Sequence, residues 1–121
     1  METLYIHLFN NSYYTSITHL NMNTIVIPAT NGKISYNKYN NHIYEIPEEI
    51  QYFTKLEELS IPHNKLDKIP PEIQFLINLQ NLDLSYNYIW IIPKEIGFLT
   101  NLCELNLDRN YISKIPTEIQ Y

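Results

Sequence analysis

Apolar residues in the second half of the chain fall into columns spaced 23 residues apart. Leu56, Leu79 and Leu102 form the first column, Leu59, Leu82 and Leu105 the second, and Ile61, Leu84 and Leu107 the third. Asn41, Asn64, Asn87 and Asn110 follow, then Ile43, Leu66, Ile89 and Ile112. Ile46-Pro47, Ile69-Pro70, Ile92-Pro93 and Ile115-Pro116 come next. Two places later stand Glu49, Glu72, Glu95 and Glu118, each followed by an isoleucine, and Phe53, Leu76 and Leu99 close the unit. No insertion breaks the register between Asn41 and Tyr121. A fixed period of this length is the mark of stacked structural repeats.

Each column predicts an element. Leu59-x-Ile61 and its copies alternate apolar and polar positions, the pattern of a short, half-buried strand. Strands one repeat apart become parallel neighbours about 4.8 Å apart when coils stack. The asparagine sits where the chain bends inward, and its amide can satisfy turn backbone groups of its own and adjacent coils. Ile-Pro-x-Glu-Ile reads as a short helical turn on the opposite wall, with proline at the first helical position and glutamate as a capping residue.

Written out, the unit is L-x-x-L-x-L-x-x-N-x-(L/I)-x-x-I-P-x-E-I-x-x-L. It resembles the leucine-rich repeat, and more narrowly the 23-residue class of intracellular Ras-pathway and cell-polarity scaffolds. The resemblance covers residues 41–121. It implies an α/β leucine-rich-repeat solenoid: a short horseshoe with parallel strands on the concave wall and short helical or 3-10 turns on the convex wall. It also implies protein–protein recognition, with no catalysis and no cofactor.

Upstream the pattern fades. Over residues 33–40 the template meets Lys33, Tyr36 and Lys38, with Ile34 and Tyr39 as stand-ins. Leu4, Ile6 and Leu8 alternate as a strand would, and Ile17, Leu20 and Met22, then Ile25–Ile27, offer two more. Terminal repeats are atypical because they face water, so residues 1–40 read as a β-rich N-terminal cap with a degenerate first repeat. Residues 41–121 carry the repeats, within a single domain. Tyr121 stands one position before the next column leucine, and no amphipathic capping helix follows. The strand around Leu105 is therefore expected to keep an unpaired edge, which invites homo-oligomer formation.

Positions alternating with the buried leucines are expected to face solvent on the concave wall. They are Glu58, Asn81 and Glu104; Ser60, Asp83 and Asn106; Pro62, Ser85 and Asp108; and His63, Tyr86 and Arg109. This acidic wall with an aromatic and basic rim reads either as a docking site for a basic or hydroxyl-rich protein segment, with Tyr86 and Arg109 as hot spots, or as an ordinary solvated sheet face. Three strands and five residues span roughly 14 by 17 Å, well under the roughly 800 Å² per partner of a standard interface. Tyr88, Trp90 and Tyr111 mark a second surface, fitted either to anchor a partner or to pack between coils.

Composition narrows the function. The chain has 121 residues and a net charge of −5, with 13 acidic side chains against 8 basic ones. That balance disfavours nucleic acid and anionic membranes as partners. Its two glycines, Gly32 and Gly97, are too far apart for a phosphate-binding loop. The lone Cys103 permits no internal disulfide, no basic-then-apolar leader opens the chain, and a cytoplasmic, intracellular setting follows as an expectation. His7, His19, His42 and His63 show no metal-ligand spacing. His63, Asp83 and Ser85 can be drawn as a hydrolytic triad, but no nucleophile elbow or oxyanion-hole glycine accompanies them. The expectation is a non-enzymatic binding or scaffold module. A vestigial fragment without a partner and a regulatory inhibitor of a signalling protein remain the alternatives.

Overall fold

A computed structural model describes residues 33–35 and 43–119 of the chain. The N-terminal cap expected over residues 1–40 lies outside these, apart from one strand. Four short strands form one parallel sheet in sequence order: β1 (Lys33–Ser35), β2 (Glu58–Ser60), β3 (Asn81–Asp83) and β4 (Glu104–Asn106). Leu59 pairs with Leu82 and Leu82 with Leu105, so β2, β3 and β4 sit one 23-residue repeat apart. The backbone ladder runs past the strand ends, with the Ile61 N–H donating to Asp83 C=O at 2.8 Å and the Leu84 N–H to Asn106 C=O at 2.9 Å.

The first strand departs from the period. Ile34 pairs with Leu59, and Lys33 with Glu58, 25 positions on. The 23-residue template places Tyr36 opposite Leu59. Ile34 takes that position instead, so the first connection is two residues longer than the others.

Three 3-10 turns form the opposite wall: η1 (Glu48–Tyr52), η2 (Pro71–Phe75) and η3 (Lys94–Phe98). Pro47, Pro70 and Pro93 precede them in extended conformation, with ψ of 159°, 148° and 145°. Each is the N-cap rather than the first helical residue. Its role is that of an acceptor: the carbonyls of Pro47, Pro70 and Pro93 take the N–H groups of Ile50, Ile73 and Ile96 at 3.1–3.2 Å, and Pro116 repeats the bond to Ile119. Glu49, Glu72 and Glu95 lie in the first turn, where a carboxylate faces the positive end of the backbone dipole. The capping role expected of them reduces to that charge effect. Among the described residues, neither Glu72 nor Glu95 makes a side-chain hydrogen bond to its turn.

Between the walls lies the core. Ile50, Phe53, Leu56, Leu59, Ile61, Leu66, Ile73, Leu76 and Leu79 are fully buried. Burial of such side chains contributes about 1.5–3 kcal/mol each. In the last coil, Leu102, Leu105, Leu107, Ile112 and Ile119 only partly bury against this cluster.

The asparagine column closes the coils. Asn64 Oδ1 accepts the N–H of Ile43, Asn87 Oδ1 that of Leu66, and Asn110 Oδ1 that of Ile89, at 2.9–3.0 Å. Their Nδ2 groups donate to carbonyls: Asn64 to Pro62, and Asn87 to Ile61, Leu84 and Ser85. Asn110 donates to Leu84 and Leu107. Every bond that reaches a preceding coil satisfies a backbone group the sheet leaves open. A second ladder runs at the other corner, where Asn78 and Asn101 donate to Thr54 and Ile77 C=O at 2.7 Å.

Candidate functional site

Six of the expected site residues come together. Glu58, Ser60, Asn81, Asp83, Glu104 and Asn106 line a shallow depression of about 220 Å³ across β2, β3 and β4. Their strands pair in register, so the outward side chains stand in rows at the strand spacing. Among the described residues the lining holds no lysine or arginine; Lys33 of β1 pairs in register with Glu58. Two of the six have a local task as well: Asp83 Oδ1 accepts the N–H of Ser85 at 3.0 Å and Asn106 Oδ1 that of Asp108 at 3.1 Å. These side-chain turns bend the chain out of the strand. In the preceding coil the same place holds Ser60 two residues before Pro62, which has no N–H to cap.

Ser85 does not face solvent. It is 5% exposed, and its C=O accepts the His63 N–H at 3.0 Å. The strand alternation ends at the Asp83 turn, and the following coil covers Ser85, with the Leu84 and Tyr86 N–H groups on either side donating to Asn106 and Asp108 C=O. Asp108, its counterpart in the last coil, is exposed. The triad drawn from His63, Asp83 and Ser85 has no geometric basis: Asp83 holds the Ser85 backbone, and the His63 ring stacks on Tyr86 at 4.2 Å and 15°. Among the described residues, no group of three or more His, Cys, Asp or Glu side chains could hold a metal ion. No helix among them is long and apolar enough to cross a membrane.

His63, Tyr86 and Arg109 lie off the strand wall, at the corner where each coil turns toward its asparagine. All three adopt left-handed backbone, with φ of 57°, 56° and 56°. For residues with a Cβ this costs about 1–2 kcal/mol each, and glycine or asparagine is the usual occupant. Alternation beyond the corner then points Lys65, Tyr88 and Tyr111 outward, followed by Asp67, Trp90 and Ser113. The first two rows line a depression of about 360 Å³, and the last two rows one of about 420 Å³. Tyr88 and Tyr111 stack nearly parallel, centroids 5.8 Å apart, and form the ridge between them. Tyr86, Tyr88, Trp90 and Tyr111 are 46%, 50%, 59% and 67% exposed. Both expectations for the second surface meet here: Tyr88 and Tyr111 stack between adjacent coils, and with Trp90 they also stay exposed.

One row escaped the sequence reading. Tyr52, Phe75 and Phe98 recur at the repeat spacing and lie exposed on the 3-10 wall. The column was there to be found, immediately before Phe53, Leu76 and Leu99. At the far end, the Cys103 thiol is exposed and donates weakly to Asn101 C=O at 3.4 Å.

Similarity to known proteins accords with this architecture. Residues 54–112 match the family described as leucine rich repeat. No curated protein matches the chain. Among solved structures, a leucine-rich repeat protein of Leptospira interrogans is 43% identical, with a TM-score of 0.67 over 71% of this chain. The match covers 21% of that structure's chain, about a fifth of its length. With the repeat columns, the parallel sheet, the 3-10 wall and the asparagine ladder all in place, the chain belongs to the leucine-rich repeat proteins.

Proposed function

We infer that the chain is a non-catalytic protein–protein interaction module whose strand wall, the concave face of a short horseshoe, binds a basic or hydroxyl-rich protein segment. Leucine-rich repeat domains generally mediate protein–protein interaction, which supports the coarse reading. The finer one rests on a single observation: among the described residues, the depression over β2–β4 gathers Glu58, Asp83 and Glu104 with amide and hydroxyl groups. That acidic excess holds although Lys33 of β1 pairs with Glu58 at its edge. Complementary charge steers a partner and sets its register more than it sets affinity. With so small a wall, binding is weak and depends on salt. The expected setting is a reducing, intracellular compartment, where the exposed Cys103 thiol persists.

The test titrates a lysine- and serine-rich peptide into the protein at low and high salt. Glu58→Lys with Glu104→Lys should weaken binding roughly tenfold or more, and Asp83→Asn keeps the turn acceptor while removing its charge. Equal binding by all variants refutes the reading.

A second reading is self-association through the last coil. Its support is the half-buried Leu102, Leu105 and Ile119 around a cavity of about 410 Å³ beside the outer edge of β4. Sedimentation velocity across micromolar concentrations tests it, and a strict monomer rejects it.

A further inference from the structure

We propose that the aromatic corner face is a second docking site, for a short acidic peptide segment carrying an apolar or proline residue beside its carboxylates. The site is distinct from the strand wall in place and opposite in charge, and it does not depend on the reading given for that wall. In a chain of net charge −5, the depression between the corner row and the Tyr88–Tyr111 ridge is lined, among the described residues, by His63, Lys65 and Arg109 and by no carboxylate. Beyond the ridge, Trp90 and the faces of Tyr88 and Tyr111 make a more apolar shelf edged by Asp67 and Ser113, so the acids of a bound segment belong on the other side of the ridge. The two halves together match an extended segment with acids at one end and an apolar side chain a few residues on.

Three further observations point the same way. The repeat does not demand these side chains, since the same positions one coil earlier hold His63, Lys65 and Asp67. Four large aromatics exposed on two adjacent coils form a patch of the kind that marks interaction sites. Arg109 also holds a left-handed backbone conformation that glycine would adopt without strain, and no hydrogen bond, ion pair or ring contact of its side chain among the described residues offsets that cost. A guanidinium at the mouth of an aromatic shelf gains its use from a carboxylate supplied from outside.

A uniformly charged polyanion fits less well. The neighbouring wall of Glu58, Asp83 and Glu104 would repel any anionic chain extending beyond the corner. A short segment with mixed acidic and apolar character avoids that wall.

Trp90 is the only tryptophan in the chain, so its emission reports on the site directly. A short peptide with glutamates in one half and leucine and proline in the other is titrated into the full chain. The expected result is a saturable emission change that weakens with added salt and is reduced roughly tenfold by Arg109→Glu. Arg109→Gly, which relieves the backbone, should fold normally and also bind less. Glu58→Lys with Glu104→Lys should leave this binding intact. Equal binding of the same peptide with lysine replacing glutamate overturns the proposal. So does an unchanged Trp90 emission at millimolar peptide, or a single-stranded oligonucleotide binding more tightly than the peptide.

Discussion

Replacing Asn87 by alanine should strongly destabilise the stack that the leucine columns build. Asn87 is 3% exposed and makes four hydrogen bonds to backbone. Two of its partners have alternatives: Leu84 C=O keeps Asn110 Nδ2 at 2.9 Å, and Ser85 C=O keeps the His63 N–H at 3.0 Å. The Leu66 N–H and Ile61 C=O lose the partner that each has among the described residues. A buried, unpaired backbone group costs about 1–3 kcal/mol, which puts the loss at about 2–6 kcal/mol. Against a typical domain stability of about 5–15 kcal/mol, that is a large fraction. Thermal denaturation followed by circular dichroism should show the midpoint falling by roughly 10 °C or more. Asn87→Asp should also be costly, because it keeps an acceptor for the Leu66 N–H but turns a second oxygen toward three carbonyls. The corresponding change at Asn110 should cost less, since that residue and its bond to Ile89 are only partly buried. A loss under about 1 kcal/mol for Asn87→Ala would refute the reasoning, because it is what a solvated hydrogen bond is worth.

The other predictions concern strain, packing and exposure. Arg109→Gly should raise the urea midpoint, by about 0.5–1 kcal/mol in stability, through relief of the left-handed backbone; a lower midpoint would mean that the side chain stabilises the coil. Gly97→Ala would place a Cβ 2.6 Å from Glu118 C=O, so the last coil should shift and become more susceptible to limited proteolysis. Ile73→Ala, at a fully buried position, should cost about 2–5 kcal/mol. Trp90→Ala, at 59% exposure, should stay within about 0.5 kcal/mol of the parent in the same urea titration.

Much of this architecture was legible in the sequence. Leu59 and Leu82 had to be buried because stacked coils place identical positions above one another, and they are, while Leu105 of the last described coil is only partly buried. The asparagine ladder followed because a buried bend leaves backbone groups that only an amide satisfies from both sides. The misses have local causes. Proline falls at the N-cap, one place earlier than expected, because the first 3-10 bond needs its carbonyl as acceptor. Ser85 is buried because Asp83 ends the strand alternation with a side-chain turn and the next coil packs over it. The left-handed corner carried no glycine or asparagine to announce it, only His63, Tyr86 and Arg109. Lys55 stands where Asn78 and Asn101 recur, which hid the second ladder behind a broken column. Of the candidate site, the strand-wall cluster was readable from alternation alone. The corner residues His63, Tyr86, Tyr88, Trp90, Arg109 and Tyr111 were readable too, but not their arrangement off the strand wall, because it depends on the left-handed turn that ends each strand.

The central claim is that backbone groups of one coil are satisfied by the next, so that the stack forms as a unit and presents its outer side chains as surface. Amide hydrogen exchange resolved at single residues tests this most directly. The Leu66 and Ile89 amides, bonded to Asn87 and Asn110 of the following coil, and those of Tyr88 and Tyr111, bonded to Leu66 and Ile89 C=O of the preceding one, decide it. The account predicts strong protection at all four, lost together in Asn87→Ala. Free exchange at Leu66 and Tyr88 while the strand amides stay protected would contradict it.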